Sequence, residues 1–202
     1  MKNILMSAIA LLLVFSFARA EDLKFFPEKN GILQYKMTGF MQGKQTVYFE
    51  DYGLKYIIEQ DMMYFEAENK SKTYIVRDSS FSIDLMKNEG YKFQYVENLN
   101  YIRFYNQAKD PNKAYQELYK SMGGKVIGKE KVKKVECEVW EFSNGLKKVW
   151  LGGGMVYKTV LKEASQTATI ELVQIDSNVS FEKDYFMKPD MVFKPFGATN
   201  GR

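Results

Sequence analysis

Histidine is absent from all 202 residues of this chain, and its absence narrows the chemistry that the chain can perform. Histidine is the usual general base near neutral pH, the partner of nucleophilic serine or cysteine, and the commonest zinc ligand. No serine lies in a nucleophile elbow, and the glycines at 152–154 neither open a helix nor precede a Lys-Ser pair. We therefore expect a protein that is not an enzyme and that has no catalytic residues, no cofactor and no metal site.

Cysteine and excess charge are also scarce. The one cysteine, Cys137, cannot form an internal disulfide, and we interpret it as a small buried apolar residue rather than a reactive thiol. The formal net charge is +4, and it falls to +2 if Lys2 and Arg19 are removed with the leader described next. This balance does not indicate a nucleic-acid partner.

Long apolar runs are confined to the first 20 residues. Lys2 is followed by an apolar stretch, Ile4–Phe17, and by the small-residue pattern Ala18-Arg19-Ala20, which is typical of a cleaved secretory signal peptide. The stretch is shorter than the roughly 20 residues of a membrane span. We therefore predict a signal peptide at 1–20 and a soluble mature chain, without a membrane span, in an exported compartment.

The strongest structural signal is a β-hairpin around Asn144-Gly145. Two β-rich runs flank this dipeptide, and both of its residues suit the positive φ that a two-residue type I′ turn requires. The turn places Glu141 opposite Lys148 on one face of the hairpin. On the other, more apolar face it pairs Phe142 with Lys147, Trp140 with Val149, and Glu138 with Leu151.

A second hairpin is predicted at Tyr52-Gly53. The run Thr46–Tyr52 would return through Leu54–Glu59, so that aromatic and charged pairs fall on opposite faces. The predicted pairs are Phe49 with Tyr56, Val47 with Ile58, and Glu50 with Lys55. The sequences 47–55 and 139–147 also resemble each other, which we attribute to convergent hairpin chemistry.

The rest of the chain is mainly β-patterned, with one clear helix. Asp110-Pro111 opens a helix that continues to Met122 and has an aromatic stripe, whereas residues 97–107 are ambiguous between helix and extended chain. Period-two alternation predicts further strands. These strands are expected from Gly31, at 73–77, 81–85, 91–95, 155–162 and 166–175, with a lysine-rich edge strand at 125–134 and an extended, proline-containing edge segment ending at Pro195.

Apolar shape is the candidate site that remains. The matching faces of the predicted strands form a curved apolar surface, which encloses either a packed core or a cavity for an apolar ligand, and the sequence leaves both alternatives open. The candidate ligand-binding residues are Trp140, Phe142, Val149, Leu151, Tyr157, Phe49, Tyr56, Tyr35, Tyr115 and Tyr119.

The order of these features resembles the periplasmic lipoprotein-carrier superfamily, the LolA-like half-barrels. The resemblance rests on the signal peptide, the run of strands with a midchain helix, the strand of Cys137 to Trp140, the following strand that ends at Trp150, and the closing Phe186-x-x-Pro189. It extends over roughly residues 31–195. It implies a mainly β (α+β) fold, with a single strongly curved antiparallel sheet and helices over its concave face. It also implies a location in the periplasm and a lipid or an acylated protein as cargo.

We thus expect three segments: a signal peptide (1–20), one β-rich half-barrel domain (21–195) and a loose tail (196–202). The expected function is that of an exported binding or carrier protein that holds an apolar ligand, such as a lipid or acyl chain, between the sheet and the helix. The alternative is an envelope structural or interaction module with a filled core that binds a protein partner. We expect a monomer.

Overall fold

The computed structural model describes residues 23–196, so the predicted signal peptide and the last residues of the tail lie outside the described residues. Twelve strands and two helices make up the described chain. In chain order they are β1 (Gly31–Gly39), β2 (Met41–Glu50), β3 (Lys55–Tyr64), β4 (Ala67–Val76), β5 (Ser79–Asp84), β6 (Glu89–Gln94), α1 (Val96–Ala108), α2 (Pro111–Ser121), β7 (Lys125–Val132), β8 (Val135–Phe142), β9 (Lys147–Gly152), β10 (Met155–Glu163), β11 (Gln166–Ser177) and β12 (Phe193–Pro195).

All twelve strands belong to one sheet, in the order β12-β6-β5-β4-β3-β2-β1-β11-β10-β9-β8-β7. Neighbouring strands run antiparallel except β12, which pairs parallel with β6. The sheet does not close, because β12 and β7 remain as its edges. The architecture is the predicted half-barrel, with both helices over the concave face.

Both predicted hairpins have the predicted register. Phe49 pairs with Tyr56, and Trp140 pairs with Val149. The predicted two-residue turn is wrong in detail: Ser143, Asn144 and Gly145 all have positive φ, at 50°, 53° and 91°. Each hairpin therefore turns through a four-residue loop that ends on an αR leucine.

Helix α2 begins where its sequence predicts a start. The Asp110 carboxylate accepts a hydrogen bond from the backbone N–H of Lys113 at 2.8 Å, and Pro111 occupies the first helical position, so the predicted capping of α2 is confirmed. The ambiguous segment is helical: α1 buries Asn98, Tyr101 and Tyr105, which recur at the spacing of one helix face.

Three hydrophobic clusters form the core. One includes Leu33 and Phe49 in the concave face of β1 and β2. The second joins α1 and α2 to β8 and β9, and Trp140 lies within it. In the third, the C-terminal segment (residues 178–195) inserts Phe186 against the opposite face of β3–β5, which carries Ile57. Strands β3 and β4 are thus covered on both faces.

Both edge strands of the sheet, β7 and β12, were predicted as edges from the sequence. Strand β7 is almost entirely exposed, as expected of an edge strand rich in lysine, and Pro195 lies in the edge strand β12, where proline is tolerated.

Cys137 is fully buried, as predicted, and burial raises the pKa of its thiol. No helix between residues 23 and 196 is long and apolar enough to cross a membrane.

Candidate functional site

A cleft of about 250 Å³ lies between the concave face of β1–β3 and the helices. Its walls come from strands β1, β2 and β3, the chain before β1, the first half of α1 and the inner face of α2, and β9 and β10 contribute one residue each. The lining residues are Phe25, Phe26, Leu33, Tyr35, Gln45, Val47, Tyr56, Ile58, Tyr95, Glu97, Asn98, Tyr101, Tyr115, Leu118, Tyr119, Met122, Lys147 and Val156.

The cleft lies beside the place where the helices pack on β8 and β9, at one end of the concave face. There, the Tyr119 ring of α2 meets the rings of Trp140 and Phe142 edge-on, with centroid distances of 5.6 Å and 5.3 Å. Residues of both the first and the second cluster line the cleft. It is therefore a gap at the junction of two packed cores, and apolar atoms form much of its surface.

The chain before β1 forms one wall of the cleft. The N–H groups of Phe25 and Phe26 both donate to the carbonyl oxygen of Tyr52, at 2.8 Å and 3.0 Å. The Phe25 ring stacks on Tyr101 at 4.8 Å, and the Phe26 ring lies 4.4 Å from that of Phe49. The Tyr101 hydroxyl donates to the Lys24 carbonyl. This N-terminal segment (residues 23–26) is thus held by side-chain packing and by few hydrogen bonds.

Six tyrosines line the cleft. The Tyr35 hydroxyl donates to the Val156 carbonyl at 3.2 Å, and the Asn98 amide donates to the Tyr56 hydroxyl at 3.0 Å. Burial, followed by neighbouring phenols, raises the pKa of Tyr35 and of Tyr115. These phenols therefore stay neutral at ordinary pH, so the cleft offers hydrogen-bond donors without a permanent charge.

Charged groups at the cleft are few. Lys147 is half-buried and its ammonium lies 5.4 Å from the centroid of the Phe142 ring, and Glu97 is exposed at the start of α1. Among residues 23–196, no group of three or more His, Cys, Asp and Glu side chains could hold a metal ion. The arrangement suits non-covalent binding of an apolar molecule with a small polar end.

The structure distributes the ten predicted ligand-binding residues over three places. Tyr35, Tyr56, Tyr115 and Tyr119 line the cleft. Phe49 and Tyr157 are buried in the first cluster. Trp140, Phe142, Val149 and Leu151 are buried in the second cluster, beneath the helices. The alternation of β8 and β9 identified the inward face, but the helices fill the space above it.

Several lining residues were not predicted from the sequence. Phe25 and Phe26 precede the first strand in a stretch too short to show periodicity, so only their aromatic character could have indicated burial. Tyr101 and Asn98 belong to the segment left ambiguous between helix and strand. A helical reading of that segment would have placed both of them on one face.

Comparisons with known proteins concern the fold. No family model and no curated protein sequence matches the chain. Among solved structures, an uncharacterized conserved protein from Thermus thermophilus has a TM-score of 0.50 at 8% identity, over 81% of this chain and 88% of that chain. At this identity the likeness establishes a shared fold alone.

Two further matches carry names. A LolA superfamily protein from Nitrosomonas europaea has a TM-score of 0.36 at 7% identity, covering 84% of this chain and 94% of that one. Lipoprotein LppX from Mycobacterium tuberculosis has a TM-score of 0.38 at 7% identity, covering 77% and 91%. Both are likenesses between chains at low sequence identity.

Proposed function

We propose that this chain is an exported binding or carrier protein that holds an apolar ligand, such as a lipid, an acyl chain or the acyl group of a protein, between the curved sheet and the helices. The observation that supports this most is the cleft at the junction of the first and second clusters. Leu33, Val47, Ile58 and Val156 supply an apolar wall, and such clefts with few polar groups are the usual form of small-molecule sites.

The ligand's polar end would lie near Lys147. The ammonium of Lys147 is the cationic group in the cleft lining, and a carboxylate or phosphate head group would be attracted to it. The neutral phenols of Tyr35 and Tyr115 would contact the apolar part without a charge to desolvate. Because binding of this kind needs no titrating group, the absence of histidine is compatible with it.

The small size of the cleft limits how a long acyl chain could enter it. A volume of about 250 Å³ is below the roughly 300–1,000 Å³ of typical ligand pockets. We propose that the N-terminal segment shifts to admit the ligand, because Phe25 and Phe26 occupy the adjoining space and hydrogen-bond to the sheet chiefly through Tyr52. The predicted signal peptide ends just before this segment, and the proposed location is the periplasm.

The test is titration with a dansyl-labelled undecanoic acid. Saturable binding with one probe per chain is expected for the wild-type protein. Ile58→Trp places a large ring in the open cleft and should weaken binding at least tenfold. Val126→Trp, at a β7 position 49% exposed, adds the same side chain outside the cleft and should bind normally. Absence of saturable wild-type binding would overturn the proposal.

A second candidate is an interaction module with a filled core. The small cleft volume favours it, and so does the exposed edge strand β7, where Ile127 is 50% exposed and the backbone can pair with a partner strand. This alternative predicts no lipid in native mass spectra of the purified protein. It also predicts a protein complex that is lost on Gly128→Pro, because proline removes an edge hydrogen-bond donor.

A further inference from the structure

A second cleft, of about 400 Å³, lies on the convex side of the sheet between β2–β5 and the C-terminal segment. It is separate from the tyrosine-lined cleft, because adjacent residues of a strand point to opposite faces: Tyr56 faces the helices, whereas Tyr74 and Phe81, paired across β4 and β5, face the C-terminal segment. The lining residues are Glu50, Lys55, Tyr74, Val76, Phe81, Lys183, Phe186, Met187 and Lys188.

The floor of this convex cleft is apolar and rich in rings. Tyr74 and Phe186 are nearly fully buried, at 8% and 7% exposure. Val76 and Met187, in contrast, are 42% and 66% exposed, so apolar surface remains in contact with water at the rim. A ligand with a flat apolar body would cover these side chains and gain by removing their surface from water.

The rim of the convex cleft carries positive charge. Glu50 forms an ion pair with Lys55 at 2.8 Å, which neutralises both groups. In the part of the chain that the structure describes, Lys183 and Lys188 form no ion pair with a carboxylate. The Lys188 ammonium instead lies 5.3 Å and 5.0 Å from the ring centroids of Phe81 and Phe193. Two cations thus border an aromatic floor.

We propose that the convex cleft binds an aromatic anion, that is, a molecule with a flat apolar body and one carboxylate, sulfonate or phosphate group. The body would rest on Tyr74, Phe81 and Phe186, and the anionic group would meet Lys183 and Lys188. Charge and apolar area act together here, because a neutral ring compound would leave both ammonium groups without a counter-ion. This site is independent of the function proposed for the concave cleft.

The experiment compares two fluorescent probes of similar shape, anilinonaphthalenesulfonate, which is an anion, and N-phenylnaphthylamine, which is neutral. The wild-type protein should bind the anion saturably at this site. The double variant Lys183→Gln/Lys188→Gln should bind it about tenfold more weakly, as expected from the loss of two partly exposed charge contacts. Binding of the neutral probe should be unchanged.

A matched control removes the same charge elsewhere. Lys125→Gln/Lys131→Gln changes two exposed lysines of β7 and should leave binding of the anion intact. Equal binding of the anion by both double variants would overturn the proposal, and so would loss of binding in Ile58→Trp, which would place the probe in the concave cleft. Competition by naphthoate or by naphthyl phosphate supports the site and identifies the preferred head group, whereas competition by neither overturns it.

Discussion

Gly53 lies directly against Phe26: a Cβ atom at Gly53 would come within 2.5 Å of Phe26 Cδ2. The turn between β2 and β3 therefore accepts the N-terminal segment because this position has no side chain. The equivalent turn between β8 and β9 carries Gly145, with nearly the same φ, +91° against +84°. There the nearest atom to a Cβ would be a Glu141 carboxylate oxygen at 3.5 Å. The two glycines therefore differ mainly in the atoms that a Cβ would contact.

Gly53→Ala is expected to dislodge the N-terminal segment. Both Gly53→Ala and Gly145→Ala place alanine at a positive φ, which costs each about 1 kcal/mol. Gly53→Ala should lose a further 1–3 kcal/mol or so of unfolding free energy from the clash with Phe26. Urea denaturation measures this difference, and limited proteolysis should cut near Phe25 only in Gly53→Ala. Equal losses in the two variants would contradict the role assigned to the contact.

Trp140 is expected to act on stability rather than on ligand contact. Its side chain is 1% exposed beneath the helices, so Trp140→Ala should lower the free energy of unfolding by about 3–5 kcal/mol. Val192→Ala, at a position 82% exposed, should change it by less than about 0.5 kcal/mol. Thermal and urea denaturation measure both, and a stable Trp140→Ala protein that only loses ligand would contradict this placement.

The cap of α2 should be worth a measurable amount. Asp110→Ala removes the acceptor of the Lys113 N–H and is expected to cost about 1 kcal/mol. Asp190→Ala, at an exposed position of the C-terminal segment, is the control and should be close to neutral. Because α2 forms one wall of the concave cleft, Asp110→Ala should also weaken probe binding slightly. A cap variant as stable as the control would show that packing alone holds the start of α2.

Alkaline pH should destabilise the protein through its buried phenols. Burial raises the pKa of Tyr35 and Tyr119 above the ordinary value of 10.0, because phenolate is poorly solvated inside the cleft. The buried neutral phenols contribute to the free energy of unfolding. That contribution is fully present below the tyrosine pKa of the unfolded state and is lost as pH rises through the tyrosine pKa of the folded state. The free energy of unfolding should hold from about pH 6 to about pH 9 and fall above about pH 10. Tyrosinate absorbance of the folded protein measures the titration directly. If all tyrosines titrated in one step near the ordinary pKa of 10.0, this expectation would be contradicted.

Hairpin register was predictable because it depends on neighbouring residues. In β8 and β9, alternation places Trp140 and Val149 on one face and Glu141 and Lys148 on the other, and the latter pair form an ion pair at 3.5 Å. The conformation of Ser143 was not predictable in this way, because Asn144-Gly145 alone indicates a shorter turn. The order of the strands was not predicted, because the pairing of β1 with β11 joins residues far apart in the chain. The single curved sheet was expected from the family resemblance.

The candidate site was less predictable than the fold. Trp140 and Tyr119 both belong to inward faces, but only the packing of α2 on β8 decides that Trp140 is covered while Tyr119 lines the cleft. The convex cleft depends on Phe186, which reaches β3–β5 through a segment without regular structure. Contacts between elements distant in the chain decide both outcomes, and periodicity carries no information about them.

The pairing of β1 with β11 has a consequence for how the chain folds. Gly31 pairs with Ser177, so the strand at the centre of the sheet has one unpaired edge until nearly the whole chain is available. Pairings this distant in sequence slow folding, because the entropy of closing a long loop is lost before the contact forms. A chain that emerges from its N-terminus would therefore keep an open β1 edge, able to pair with a wrong strand, until its last long strand has emerged.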